Sequence, residues 1–197
     1  MSFTRRALLA GTAAAFSAHV LSQRMGGFDM TEDGVLEQAR EASGIHDFDF
    51  LEGAWVVEHR RLKHRLARSD EWERFSGTNE MRLMLGGAAN MDDNVLNAPE
   101  GAYRAASIRA FEAGSRKWSI WWLDGRHPSE LDPPVVGGFC DGVGVFFGEA
   151  TWNGKAIQVR FTWSEVGSAS PRWEQAFSLD GGKTWETNWF MDFRRAS

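Results

Sequence analysis

The stretch "SLDGGKTWETNWFMDF", residues Ser178–Phe193, combines a turn-forming segment with an aromatic run that alternates with polar residues. Asp180 can accept backbone N–H bonds within its own turn, and Gly181 and Gly182 can adopt positive φ values. Trp185 follows at once and can hold the turn against a sheet. The stretch therefore predicts a β-hairpin, in which a turn joins two antiparallel strands.

The register of this hairpin predicts which side chains share a face. Pairing Ser178 with Thr184 places three pairs side by side, namely Phe177 with Trp185, Gln175 with Thr187, and Trp173 with Trp189. That face is aromatic with two small polar groups, and we expect it to point inward. The outward face would carry Glu174, Glu186, Asn188 and Asp192.

The first eight residues of the stretch follow the pattern S-x-D-x-G-x-T-W. This pattern resembles the Asp box, which is best known from sialidase propellers. A propeller needs several blades, and Asp boxes recur with the blades. The sequence contains one such box and too few predicted strands for even a small propeller. We therefore interpret the box as a hairpin turn and not as evidence of a glycosidase.

From Phe48 onward, short apolar and aromatic runs alternate with turn residues. In the clearest run, Ile157, Val159, Phe161 and Trp163 share one face. No long helical pattern separates the runs, which disfavours a parallel sheet. The predicted strands are Trp55–Leu62, Trp72–Leu85, Tyr103–Phe111, Trp118–Leu123, Val135–Cys140, Val143–Trp152, Ala156–Ser164, Arg172–Ser178 and Thr184–Arg194.

Successive antiparallel strands avoid exposed edges when the sheet closes into a barrel. The predicted fold class is therefore all-β, with a single antiparallel up-and-down barrel of about 9–10 strands. A charged segment, "TEDGVLEQAREAS", predicts a short helix before the barrel. We find no linker or internal repeat, so we expect one barrel domain at 48–197 after a helical extension at 25–47.

The segment "FDFLEGAWVVEHRRL" places a G-x-W motif, Gly53 to Trp55, at the start of the first long strand. The last predicted strand ends at Arg194 and Arg195. This arrangement resembles the lipocalin (calycin) fold. The resemblance implies that Trp55 closes one end of the barrel and that Arg194 or Arg195 lies across it in a cation–π contact.

Two further segments, "WEQAFS-DGG-TWETNW" and "LDPPVVGGF", resemble a group of uncharacterised bacterial domains with an assigned lipocalin-like barrel. This resemblance covers roughly Phe48 to Arg195. It implies a fold and a cavity, and it implies no settled activity.

The N-terminal segment "MSFTRRALLAGTAAAFSAHVLSQ" places Arg5 and Arg6 before an apolar run of small residues. It resembles a twin-arginine (Tat) signal. The resemblance implies a signal segment at 1–24 and a periplasmic or otherwise exported protein. The alternative is a cytoplasmic protein whose translation begins at Met25 or Met30.

Composition excludes several classes of function. The net charge of -5 argues against a nucleic-acid partner, which would require a basic surface. A single cysteine excludes an intramolecular disulfide and a cysteine-based zinc site, and we expect no metal. No apolar run of the mature part is suited to an ordinary membrane-spanning helix. The sequence contains no G-x-S-x-G elbow, phosphate-binding glycine loop or H-E-x-x-H motif.

The 10 Trp and 14 Phe residues predict a barrel interior lined with rings. Apolar cavities with a few orienting polar groups are typical of small-molecule sites. The leading hypothesis is therefore a module that binds a small apolar or aromatic molecule and needs no cofactor. The predicted lining comprises Trp122, Phe161, Trp163, Trp173, Gln175, Phe177 and Trp189.

His59 lies in phase with Trp55 and Val57, so it would point into the cavity if that phase faces inward. A second hypothesis is an isomerase, cyclase or hydratase, with His59 as the catalytic acid/base and Gln175 or an arginine polarising the substrate. A third is a haem-binding barrel with His59 as axial ligand. Alternatively, His59 only faces solvent or makes a structural hydrogen bond.

Overall fold

The computed structural model describes residues 32–197, and the predicted signal segment at 1–24 lies outside them. The described part begins with helix α1 (Glu32–Ala42) and includes two short 3-10 helices, Asp49–Leu51 and Leu85–Gly87. Its strands are β1 (Gly53–Leu62), β2 (Trp72–Met84), β3 (Ala89–Ala98), β4 (Gly101–Glu112), β5 (Lys117–Asp124), β6 (Val135–Cys140), β7 (Val143–Trp152), β8 (Lys155–Ser164), β9 (Arg172–Ser178) and β10 (Glu186–Arg195).

The strands form one closed barrel in which each strand pairs antiparallel with the next along the chain. Strand β10 pairs with β1 and completes the ring, from Trp55 opposite Arg195 to Arg61 opposite Trp189. Closure gives every strand two hydrogen-bonded neighbours and so removes the sheet edges. The predicted all-β, up-and-down barrel is confirmed, and the nine predicted strands match observed ones to within two residues at each end.

Strand β3, with the sequence ANMDDNVLNA, is the strand that the sequence pattern did not predict. Asn and Asp are depleted in strands because they favour turns. Here Asn90, Asp92 and Asn94 alternate on the inner face and are buried. Polar partners on neighbouring strands make this burial possible, and those partners are invisible to a local reading of the segment.

One end of the barrel is closed by Trp55, as the lipocalin resemblance implied. Its indole N–H donates to the carbonyl of Leu51 at 2.8 Å. The Arg195 guanidinium lies 4.0 Å from the centre of the Trp55 ring. Arg195 also donates to the backbone carbonyls of Glu52 and Phe50. The terminal arginine therefore ties β10 to the segment before β1, and it is Arg195 that does so.

A tight aromatic cluster fills the barrel next to this closed end. The centre of the Phe48 ring lies 5.0 Å from the ring centre of Trp118 and 5.0 Å from that of Phe139, in edge-to-face geometry with both. Helix α1 packs nearby through Ala39, which lies so close to Gly138 that a side chain at Gly138 would contact it at 2.8 Å. Because these contacts fill the closed end of the barrel, the cavity lies toward the opposite end, where β1 ends.

The predicted hairpin is present, but its predicted register is wrong. Phe177 pairs with Glu186, and a bulge between Thr187 and Trp189 then places Gln175 opposite Trp189. Thr187 was predicted to lie opposite Gln175, and Trp185 was predicted to face inward beside Phe177. A register shift of one residue moves side chains to the other face of a sheet. Glu186, which was predicted to face outward, therefore takes the place of Trp185 beside Phe177, and the bulge then returns Trp189 to the inner face.

The hydrogen bonds of Asp180 explain the shifted register. Its carboxylate accepts from the backbone N–H of Thr184 at 2.9 Å and from the Thr184 hydroxyl at 2.7 Å. Ser178 donates to the same carboxylate at 2.8 Å. The box therefore closes a turn longer than the predicted one, and strand β10 begins only at Glu186.

Candidate functional site

A cavity of about 1430 Å³ occupies the barrel interior and opens at the end where β1 finishes. The residues predicted to line it from the alternation of apolar side chains do so. They are Trp122, Phe161, Trp163, Trp173, Gln175, Phe177 and Trp189. Their position in the cavity wall is a property of the structure, and their role in holding a ligand stays a prediction.

The aromatic wall of the cavity is built from residues on β5 and on β7 to β10. The ring centres of Trp173 and Trp189 are 5.7 Å apart at an interplanar angle of 82°, and those of Phe161 and Trp173 are 4.8 Å apart at 67°. Trp122 approaches Trp189 at 6.3 Å and 78°. Edge-to-face contacts of this kind hold rings in defined orientations. The wall therefore presents a preorganised apolar surface.

The opposite wall, on β2 to β4, is polar although it is buried. Arg109 donates to Asp92 at 2.5 Å, and their side chains are only 4% and 1% exposed. Asp92 also accepts from the backbone N–H of Ser107 at 3.0 Å. Burial by itself would raise the pKa of Asp92, but the charge and hydrogen bonds of Arg109 outweigh it, so this pKa is lowered. Asp92 is therefore a carboxylate that only accepts hydrogen bonds.

Asp92 sets the orientation of two amides beside it. The Asn94 amide nitrogen donates to Asp92 at 2.7 Å, and the Asn79 amide nitrogen donates to the Asn94 oxygen at 2.9 Å. Because a carboxylate cannot donate, this order of donors and acceptors is the one that the network allows. This order leaves Oδ1 of Asn79 buried without a hydrogen-bond partner among residues 32–197, and Nε of Arg109 also has none there.

This polar wall was not predicted, because strand β3 was not predicted. One signal could have found it, namely the period-two alternation of Asn90, Asp92 and Asn94 with the apolar Leu96 after them. Such alternation identifies a strand even when the residues are weak strand formers. Arg109, in phase with Tyr103 on a predicted strand, could then have been assigned as the partner of Asp92.

At the mouth of the cavity, charged side chains pair with one another. Arg61 donates to Glu73 and to Glu100, both at 2.6 Å. Arg126 contacts Asp124 at 2.6 Å and covers the Tyr103 ring at 3.8 Å from its centre. Both arginines at the mouth are thus paired with carboxylates.

Arg65, in the loop 63–71 after β1, differs from these arginines. Its guanidinium lies 5.1 Å from the centre of the Trp152 ring, 5.5 Å from that of Trp189 and 5.8 Å from that of Phe177. Burial, and then the charge of Arg61, lowers the pKa of Arg65 to about 10, so the side chain is still a cation at neutral pH. No pattern in the sequence indicated that this loop residue would line the cavity.

His59 points inward as its phase indicated, but it lies within the barrel wall and does not line the cavity. Its side chain is stacked on Phe75 at 4.6 Å, and its Nδ1 accepts a hydrogen bond from the Trp189 indole at 3.2 Å. Burial, and then the charge of Arg61, lowers the pKa of His59 to about 3. The alternative of a structural hydrogen bond fits this placement, whereas a solvent-facing His59 does not. The acid/base and axial-ligand roles stay predictions.

Gln175, the polar exception on the aromatic wall, has a protein partner. Its amide nitrogen donates to Oδ1 of Asn188 at 2.8 Å, and Asn188 is completely buried. Asn188 was predicted to lie on the outward face, and that prediction is wrong because the bulge at Thr187/Trp189 turns Asn188 inward.

The closed antiparallel barrel, its Trp55–Arg195 closure and its interior cavity define a lipocalin-like barrel. No family model matches the sequence, and no curated protein sequence matches it either. Solved structures with a similar fold exist. The chain resembles an S-type phycobiliprotein lyase, CPES, from Guillardia theta, with a TM-score of 0.50 and 9% identity over 76% of this chain and 90% of that one.

A second similar structure is a protein of unknown function of the DUF3598 family from Nostoc punctiforme. The TM-score is 0.47, the identity is 15%, and the match covers 78% of this chain. The chain spans about half the length, 49%, of that protein. At 9% identity the likeness to the phycobiliprotein lyase supports the fold alone.

Residues 32–197 contain neither a membrane-spanning helix nor a cluster of metal-binding side chains. No helix in this part of the chain has the length and apolarity needed to cross a membrane. The same residues contain no group of three or more His, Cys, Asp or Glu side chains arranged to hold a metal ion.

Proposed function

We propose that the protein binds a small amphipathic molecule, largely apolar or aromatic, inside the barrel. The observation that supports this proposal is the contrast between the two walls of the cavity. One wall is made of tryptophan and phenylalanine rings, and the other carries Asn79, Asp92, Asn94, Ser107 and Arg109. A ligand with an apolar face and hydrogen-bonding groups along one edge would complement both walls.

The size of the cavity also favours a binding role. Side chains that filled a space of about 1430 Å³ would stabilise the barrel more than an open cavity does. The barrel keeps this space while packing its closed end tightly around Phe48. The open part of the barrel is therefore better suited to holding a molecule than to serving as a core.

A neutral aromatic probe, 1-aminoanthracene, tests this function. Bound probe should accept excitation energy from the tryptophans of the cavity wall, so titration should quench their emission. The variant Ala150→Trp places a large ring inside the cavity, since Ala150 lines it. We expect its affinity for the probe to fall at least about tenfold, which corresponds to about 1.4 kcal/mol.

The matched control is Ala106→Trp, because Ala106 lies on the outer face of β4 between the inward Ala105 and Ser107. This variant should bind the probe within about twofold of the unmodified protein. Failure of the unmodified protein to bind, or equal weakening by both substitutions, would contradict binding in the cavity.

A further inference from the structure

Arg65 is the unpaired cation of the cavity. Among the described residues, every other arginine that lines the cavity has a carboxylate partner: Arg61 has Glu73 and Glu100, Arg109 has Asp92, and Arg126 has Asp124. Arg65 lines the same cavity and makes neither a hydrogen bond nor an ion pair with any residue in 32–197. A buried or half-buried cation normally has such a partner.

The contacts that Arg65 does make hold it in place without using its donors. It lies against the rings of Trp152, Phe177 and Trp189. None of these three contacts is a hydrogen bond, so the five N–H groups of the guanidinium, which form the fork that matches a carboxylate, are not used by them. Arg65 is therefore preorganised beside the aromatic wall with its hydrogen-bond donors free.

We propose that Arg65 binds the carboxylate of a monoanionic amphipathic acid whose apolar body lies among Trp152, Phe177 and Trp189. This inference rests on the proposed function and narrows its ligand class. A guanidinium–carboxylate pair within a half-enclosed site is stronger than an exposed one, because screening by water is weaker there.

The charges around Arg65 favour a single negative charge on the ligand. Acidic side chains also line the cavity, and besides Asp92 they are Glu73, Glu100, Asp124, Glu130, Asp132 and Glu149. Glu73 and Glu100 already neutralise Arg61, and Asp124 already neutralises Arg126. One unpaired cation remains for the ligand, and a dianionic phosphate would be repelled by the remaining acidic groups.

The experiment compares matched acids and alcohols as ligands. The pairs are 1-pyrenebutyrate with 1-pyrenebutanol, which have an aromatic body, and dodecanoate with dodecanol, which have an alkyl body. Pyrene emission reports the first pair, and displacement of 1-aminoanthracene reports the second. The unmodified protein should bind the acid of at least one pair about tenfold more tightly than its alcohol.

Arg65→Gln should reduce this preference for the acid to less than about twofold while changing alcohol affinity by less than about threefold. Arg65→Lys, which keeps the charge but not the fork, should retain part of the preference. The matched control is Arg68→Gln, an exposed arginine of the same loop that does not line the cavity. It should leave the preference unchanged.

The outcomes separate this inference from the proposed function. Equal binding of acid and alcohol by the unmodified protein, or a preference that survives Arg65→Gln, would overturn the assignment of Arg65 and leave binding in the cavity intact. An equal loss of affinity for acid and alcohol in Arg65→Gln would assign Arg65 a purely structural role. That result would also overturn its assignment as the carboxylate-binding residue. Failure of the acids, the alcohols and 1-aminoanthracene to bind would overturn both proposals.

Discussion

The indole N–H of Trp189 donates a hydrogen bond to Nδ1 of His59 across 3.2 Å, although the two residues are 130 positions apart in the chain. This bond joins the last strand of the barrel to the first, at the place where the ring of strands closes. It also requires that Nδ1 of His59 carry no proton, since only then can this nitrogen accept. The bond therefore couples the protonation state of His59 to barrel closure.

The free energy of unfolding should accordingly decrease as the pH is lowered through the range in which unfolded histidine titrates. The pKa of His59 is about 3 in the folded state against 6.5 for an unperturbed histidine, so the unfolded chain binds the additional proton. From pH 7 to pH 5, we expect this residue to lower the free energy of unfolding by about 2 kcal/mol. Urea titrations at both pH values measure the loss.

His59→Phe is the control for this prediction, because it keeps a ring on Phe75 and removes the titrating group. The difference in unfolding free energy between pH 7 and pH 5 should be smaller in this variant by about 2 kcal/mol. An identical pH dependence in both proteins would show that His59 is not held neutral in the fold.

The same variant separates the three functional hypotheses. Binding of 1-aminoanthracene should survive in His59→Phe if the protein is a binding module, since His59 does not line the cavity. Loss of a measured isomerase, cyclase or hydratase turnover in the folded variant would favour an enzyme. Loss of a Soret band would favour a haem barrel.

Asp180→Ala should lower the thermal unfolding temperature without changing probe binding. The carboxylate organises the turn before β10 through Thr184 and Ser178, and Asp180 does not line the cavity. Hydrogen bonds from Thr184 lower the pKa of Asp180 to about 2, compared with 3.8 normally. The stabilisation is thus present above about pH 4 and is lost as pH falls toward 2.

Asp70→Ala provides the comparison, because Asp70 is an exposed aspartate in the loop 63–71. It should leave the unfolding temperature nearly unchanged. If Asp180→Ala instead abolished binding at unchanged stability, the box would belong to the ligand site, and the carbohydrate interpretation would return.

Arg109→Met should be among the more damaging single substitutions in the barrel. It leaves the Asp92 carboxylate buried without its cation, and breaking a buried pair in this way costs about 3–5 kcal/mol. Combining it with Asp92→Asn removes the orphaned charge, keeps an amide oxygen that accepts from Asn94 and Ser107, and should recover at least half of that loss. Equal destabilisation of the single and double variants in urea titrations would refute an ionised pair.

Gln175→Leu should lower the free energy of unfolding by about 1–3 kcal/mol, because it leaves Oδ1 of the buried Asn188 without its donor. This variant should also weaken the binding of a polar ligand more than the binding of 1-aminoanthracene. Gln158→Leu is a matched change at a partly exposed position of the cavity rim and should cost less than about 0.5 kcal/mol. Comparable unfolding curves for the two variants would argue against the Gln175–Asn188 bond.

Export through a twin-arginine signal is a further proposal, and it concerns residues outside the described part. Replacing both Arg5 and Arg6 with lysine should retain the precursor in the cytoplasm, because the signal requires the arginine pair. Cell fractionation and N-terminal sequencing of the protein in its source organism measure the outcome. Normal export of the double-lysine variant, or a cytoplasmic protein that starts at Met30, would refute the signal.

Local patterns in the sequence were sufficient to predict the barrel and most of its aromatic wall. Side chains in a strand alternate between two faces regardless of what packs around them. Ile157, Val159, Phe161 and Trp163 could therefore be assigned to one face, and all of them line the cavity. The same local reasoning correctly interpreted Asp180 as the centre of a turn.

Tertiary structure alone decided the register of β9 with β10, the polar wall and the position of Arg65. Register depends on how many residues a turn consumes, and the hydrogen bonds of Asp180 together with one bulge changed that number. The burial of Asp92 depends on Arg109, which lies on a different strand. Arg65 reaches the cavity because its loop folds over rings from β7, β9 and β10. Alternation is a property of one strand, whereas charge compensation and cavity shape arise only when separate strands meet. The sequence therefore determined the aromatic wall of this barrel, and the tertiary structure determined its polar wall and the position of Arg65.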